Sequence, residues 1–134
     1  MDELARTLRR VLEGEGVELA YLIGSEARGQ ASAGSDVDIA VLPRRPLSLL
    51  ELGALAERLE RELGGRRVDL VDLHRAPPLL LAEVRRDGQV LVERDPAVRF
   101  DFETRALQRA LDTRPLRAAQ QALLRERALL GRSG

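Results

Sequence analysis

The period of the apolar positions changes several times along the chain, and each change marks an element. Leu4, Leu8, Val11 and Leu12 recur at near-helical spacing, which predicts a helix over residues 3–13 ending at the Gly14-Glu15-Gly16 breaker. "VELAYLIG" then reads as a strand. In "SDVDIAVL" the alternation is strict: Asp36, Asp38 and Ala40 share one face, Val37, Ile39 and Val41 the other, and Pro43 and Pro46 close the run. Leu52, Leu55, Ala56, Leu59 and Leu63 form one stripe of a helix over 47–63, with Glu57–Arg61 and Arg58–Glu62 expected as exposed pairs one turn apart and Gly64-Gly65 as its end. "RRVDLVDL" predicts a third strand, Pro77-Pro78 open a short apolar helix reaching about Arg86, and "GQVLVER" predicts a fourth strand. Residues 96–112 and 115–130 predict two helices split near Thr113-Arg114-Pro115, the second carrying Leu116, Ala119, Leu123 and Leu130 among charges.

The fold class that follows is α/β (α+β), a small sheet flanked by helices with a helical C-terminus. No repeat or long linker divides the chain. At 134 residues it is expected to form one soluble domain, residues 1–112, with a helical arm over 113–134 that packs on it or docks a partner.

Composition narrows the chemistry. Cysteine and lysine are absent and there is one histidine, His74, which removes disulfides, thiolate nucleophiles, a P-loop lysine, a Schiff-base lysine and a multi-histidine metal site. Carboxylates, hydroxyls and arginines remain. The 22 acidic and 22 basic residues balance, and aromatic residues make up 2%, which disfavours direct nucleic-acid binding. No segment has the length and apolarity of a membrane span, no cleavable signal is visible, and a cytoplasmic location is expected.

The densest chemistry lies in "IGSEARGQASAGSDVDIAVL", residues 23–42. Two like charges about 4 Å apart repel by about 4 kcal/mol at an effective dielectric near 20, so Asp36 and Asp38 on one face favour a cation between them. Mg²⁺, which takes carboxylates together with phosphate oxygens, suits that pair. Gly24 removes a side chain where a phosphate must approach. Ser25 opens the short segment "SEARG", whose N-terminus favours an anion and whose end Gly29 marks, and Arg28 offers a planar fork to phosphate oxygens. The small-residue return "GQASAGS" lets the turn and the carboxylates meet around one triphosphate, at a closure cost of about 2 kcal/mol. A Gly-Ser step followed after ten residues by Asp-x-Asp recurs by chance in about one in several hundred chains of this length.

"GSEARGQASAGSDVDIAVL" resembles the signature of the nucleotidyltransferase superfamily of the DNA polymerase beta type, and the short length resembles its minimal nucleotidyltransferase branch. The resemblance covers about residues 3–112 and implies the small mixed sheet of that fold. It also implies Mg²⁺-dependent transfer of a nucleoside monophosphate, usually AMP from ATP, to a hydroxyl. The metals, two ions, would be held by Asp36 and Asp38, with Asp69 of "RRVDLVDL" as the third carboxylate, completing the clamp or accepting the proton of the attacking hydroxyl. Gly24, Ser25, Arg28 and Ser35 would form the nucleotide-binding set. Members of the branch are commonly antitoxins beside HEPN-type toxins, and the acceptor implied is a tyrosine of the toxin, in a hetero-oligomer.

Two alternatives stand beside this reading. One is transfer to a small molecule of aminoglycoside type; the other is a non-catalytic antitoxin that neutralises its partner by binding. The chain has no room for a further acceptor domain, so a partner is expected to supply that wall, and the C-terminal helices are a candidate docking surface. One residue departs from the family pattern. Glu26 stands where a basic residue is common, and would weaken nucleotide binding unless it points outward or pairs with Arg28. Asp72 is expected on the opposite face of its strand from Asp69, His74 as a satisfied loop residue, and Tyr21 packed beside the motif strand.

Overall fold

In chain order the elements are α1 (Glu3–Glu13), β1 (Val17–Ile23), α2 (Gly24–Ala27), β2 (Val37–Pro43), α3 (Leu49–Glu62), β3 (Val68–Asp72), α4 (Pro78–Asp87), β4 (Gln89–Glu93), α5 (Pro96–Leu111) and α6 (Arg114–Arg132). This computed structural model describes residues 2–31, 34–112 and 114–132. The predicted break at Thr113, the side chains of Pro115 and Leu116, and Ser32 and Ala33 of the small-residue return lie outside the described residues. The helix and strand boundaries otherwise agree with the periodicity to within two residues, because each is punctuated locally. Asp2 caps α1 by accepting from the Ala5 N–H (2.8 Å), and Ser48 and Glu51 form a reciprocal capping box on α3. Gly64 and Gly65, both at positive φ, carry the chain out of α3.

The sheet is four-stranded and mixed, in the order β3-β2-β1-β4, with β2 and β3 parallel and the other two pairings antiparallel. β1 is central and buried on both faces, so its run of apolar residues is nearly continuous rather than alternating. On one face Leu8, Leu12, Leu22, Ile39 and Leu59 join α1 and α3 to the sheet. On the other, Leu19, Tyr21, Ala40, Leu81, Val84 and Ala106 join α4 and α5 to it. Val37, Ile39 and Val41 point into the first core and Asp38 and Ala40 toward the second face, as the alternation predicts.

One of the expected ion pairs forms differently. Arg58 pairs with Glu15, and Glu62 accepts from Arg10 at 2.9 Å, instead of Arg58 pairing with Glu62. Both contacts tie α3 to α1 or to the turn that follows it. Sequence spacing reveals intrahelical neighbours, but the approach of a second helix decides which partner a long side chain takes.

Tyr21, buried in the second core, packs against the Phe102 ring at a centroid distance of 5.9 Å and donates its hydroxyl to Glu103 at 2.8 Å. Arg99 bridges the same carboxylate and Glu93, so a polar network fastens α5 to the strands beneath it. Burial and Glu103 hold the Tyr21 hydroxyl well above its ordinary pKa, keeping it a donor. Beyond α5, helix α6 presents Leu123, Leu124 and Leu129 to solvent. No helix among the described residues is long and apolar enough to cross a membrane.

Tyr21→Phe removes the donor while keeping the ring, and is expected to cost about 1 kcal/mol in urea unfolding with an unchanged m-value.

Candidate functional site

Three loops converge at one end of the sheet. β1 runs out at Ile23, which pairs with Asp38 of β2, and β2 and β3 run parallel with Asp38 directly beside Asp69. Parallel neighbours stand about 4.8 Å apart at Cα and project to the same face, so the two carboxylates are held together by backbone register. Asp36 lies just before the first residue of β2 and is exposed. The ladder therefore orients Asp38 and Asp69, while Asp36 stands on the approaching loop and not within the strand as the alternation suggested. Asp72, three residues along β3, is buried on the other side, where it accepts from the Leu47 N–H (2.8 Å) and the His74 N–H (2.9 Å).

The turn after β1 is helical from Gly24, one residue earlier than expected, and closes at Gly29 with φ +68°. Gly24 itself has φ +68°, and a Cβ there would stand 2.4 Å from Asp38 Oδ2. Only glycine satisfies both conditions, since it alone tolerates the left-handed backbone and leaves room for the carboxylate. Ser25 occupies the same turn, and Arg28 caps its end.

A cleft of about 280 Å³ lies over these groups, lined by Ile23, Gly24, Asp38, Asp69, Val71, Leu80 and Glu83. Burial, then Asp69, Asp36 and Glu83, push the Asp38 carboxyl above its ordinary range, and Arg28 opposes them only in part. The cleft is thus short of positive charge. Among the described residues no three His, Cys, Asp or Glu side chains gather closely enough to hold a metal on their own. The donor set fits an ion that completes its shell with substrate oxygens, which is the habit of Mg²⁺. A second depression, of about 310 Å³, lies at the opposite ends of β2 and β3 beside Leu42, Leu73, Phe102 and Arg105, and contains none of these carboxylates.

The charged neighbours rearrange the expected pairs. Glu26 pairs with Arg66 rather than with Arg28, and Arg66 Nε also donates to the Ser35 carbonyl at 2.9 Å. Arg28 instead stands 3.6 Å from Glu83 and donates to Gln30 at 3.4 Å. Glu83 was absent from the sequence-based set. Its only signal there is a lone acid in the apolar stretch of α4, and its distance from the motif hides that α4 lies over the cleft. His74 places Nε2 2.6 Å from the Pro43 carbonyl, a satisfied polar contact away from the carboxylates.

The family model described as polymerase beta, nucleotidyltransferase matches residues 6–97. Protein adenylyltransferase MntA of Shewanella oneidensis is 39% identical over 75 residues, covering 56% of this chain and 53% of the relative. Its namesake from Aphanizomenon flos-aquae is 33% identical over 103 residues, covering 68% of this chain and 67% of the relative. The chain thus spans about half the length of the first relative and two thirds of the second. Among solved structures, it is similar to a chain of a toxin-antitoxin complex with AMP-PNP, with a TM-score of 0.75, 28% identity, and coverage of 91% and 96% of the two chains. It is similar also to a chain of a complex between tri-AMPylated Shewanella oneidensis HEPN toxin and MNT antitoxin, at TM-score 0.69 and 26% identity over 92% of this chain and 94% of that one.

Two substitutions test the geometry. Gly24→Ala is expected to cost about 1–2 kcal/mol through the left-handed backbone and to turn the Asp38 carboxylate aside, read by chemical denaturation and by a crystal structure of the variant. Asp38→Asn relieves repulsion, so in EDTA at neutral pH its melting temperature should rise by a few degrees; an unchanged or lower value would show that the carboxylates do not strain the fold.

Proposed function

This chain belongs to the polymerase beta nucleotidyltransferase family, and we propose that it transfers AMP from ATP to a tyrosine hydroxyl of a partner protein, a HEPN-type toxin, and so silences it. The observation that carries the reading is the fixed pairing of Asp38 with Asp69 beside the Gly24 turn, in a cleft with a surplus of negative charge. The names of the relatives and the complexes in which the similar folds occur support the partner.

In the reaction, the acceptor oxygen bonds to the α-phosphorus, the bond from that phosphorus to the bridging oxygen breaks, and pyrophosphate leaves. Asp69 takes the hydroxyl proton, being the more exposed of the paired carboxylates. Asp38, with Asp36 or Asp69, would hold Mg²⁺, as two ions in the full site, and the metal would supply positive charge to offset that of the triphosphate and of the leaving group. Gly24 and Ser25 let the backbone approach the phosphates, and Ser35 lines their return. Arg28 turns a guanidinium toward them from the end of the α2 turn. The partner would bring its hydroxyl to this cleft, between the sheet and α4. Exposed leucines of α5 and α6, including Leu111, Leu123 and Leu124, offer apolar area to the same partner.

The test incubates the protein with a HEPN-type partner, Mg²⁺ and each nucleoside triphosphate, and weighs the partner by intact-mass spectrometry. Whole AMP units should be added with ATP and vanish in Asp36→Ala/Asp38→Ala. A partner bound and silenced with no mass gain would refute transfer and leave neutralisation by binding. Turnover of a small hydroxyl compound without any protein acceptor would refute the protein substrate.

A further inference from the structure

Arg66 stands two residues before β3 and reaches back to both ends of the loop that carries the site. Its Nε donates to the Ser35 carbonyl at 2.9 Å, its Nη2 approaches Ser35 Oγ at 3.3 Å, and the same nitrogen pairs with Glu26. With side-chain exposures of 25% and 17%, this is the most enclosed ion pair among the described residues. Ser35 immediately precedes Asp36, and Glu26 immediately follows Ser25. One guanidinium therefore joins the phosphate-side turn to the carboxylate side of the loop, from the same segment that delivers Asp69.

We infer that Arg66 is a positioning residue for nucleotide binding: it holds Ser25 and Arg28 in register with Asp36 and Asp38, and it neutralises Glu26, which would otherwise repel the triphosphate. The inference rests on the proposed function in taking a nucleoside triphosphate as the ligand. Two physical terms act in one direction. Fixing the loop ends before the ligand arrives removes ordering entropy from the binding step. Pairing Glu26 also removes an unpaired acid from the approach of a polyanion. The planar fork of arginine satisfies a carboxylate and a carbonyl at once, which the single ammonium of lysine does not.

The experiment measures the Kd of AMP-PNP with Mg²⁺ by calorimetry on the full chain, together with KM and kcat for transfer and the melting temperature. Arg66→Gln should raise Kd and KM about tenfold, a change worth about 1.4 kcal/mol, with kcat altered far less. Adding Glu26→Gln to Arg66→Gln should recover about threefold of that loss, since the unpaired acid is gone. Arg66→Lys, which keeps the charge and loses the fork, should weaken binding about threefold and serves where the glutamine variant does not fold. A lowered melting temperature with Kd unchanged in the foldable variants would overturn the inference and leave Arg66 a purely structural clamp. Wild type that binds AMP-PNP without transferring AMP would refute the proposed function alone, the Kd comparison still deciding Arg66. Wild type that binds no nucleotide would overturn both.

Discussion

The parallel register of β2 against β3 sets Asp38 beside Asp69, and much of the fold follows from holding those like charges together. A carboxylate pair at adjacent strand positions is unfavourable in isolation, so the backbone that imposes it must be firmly anchored. The anchoring comes from the layer below. Val37, Ile39 and Val41 of β2 and Leu70 of β3 point into a core shared with α1 and α3, and moving the register by one residue would send those side chains to the other face. The cost of the charged face is met by burial on the opposite one.

Arginine does all the cationic work in this molecule, and its geometry suits the task. Arg66 binds a carboxylate and a peptide oxygen across one loop, Arg99 bridges Glu93 and Glu103 beneath α5, and Arg94 donates to the carbonyls of Val17 and Glu13. Arg66 and Arg94 join segments far apart in sequence, and Arg99 ties α5 to the strand just before it. A planar group with several donors can satisfy two or three acceptors without large loss of freedom per bond, which makes it a better tie between loops than a point charge. Around the cleft the same property separates roles: Arg66 is committed to the protein, whereas Arg28, half exposed and 3.6 Å from Glu83, has donors to spare for an incoming anion.

What the sequence reveals about this site follows the range of each interaction. Alternation has a period of two, so the facing of Asp38 with Ala40, and of Asp72 away from Asp69, can be deduced from spacing alone. Caps are equally local, and Ser48 with Glu51 is legible as a helix start. The resemblance of the motif stretch named the fold and the carboxylates because it compresses a three-dimensional site into twenty residues. Glu26, Arg58 and Glu83 were misassigned or missed for one common reason. Their partners, Arg66, Glu15 and Arg28, come from other elements, and spacing along the chain contains no information on which helix lies across which loop. The start of β2 is an intermediate case, since Asp36 continues the alternation but has no strand beside it to pair with.

The two aspartates of β3 show how one strand separates structure from chemistry. Asp72 is 6% exposed, and both its oxygens are occupied by backbone N–H donors, one from the loop before α3 and one from its own turn. Such a carboxylate, buried and hydrogen-bonded through both oxygens, locks the far end of the strand. Asp69 is exposed and, among the described residues, makes no hydrogen bond or ion pair through its side chain. A surface acid without a partner would normally be unremarkable, but this one is pinned beside Asp38, and its charge helps push the Asp38 carboxyl upward. The backbone register, and no side-chain partner among the described residues, therefore sets where this carboxylate stands. The cleft above it carries more negative charge than the surrounding guanidinium groups offset. What would relieve it is a cation with a polyanionic ligand, the combination that nucleotidyl transfer requires.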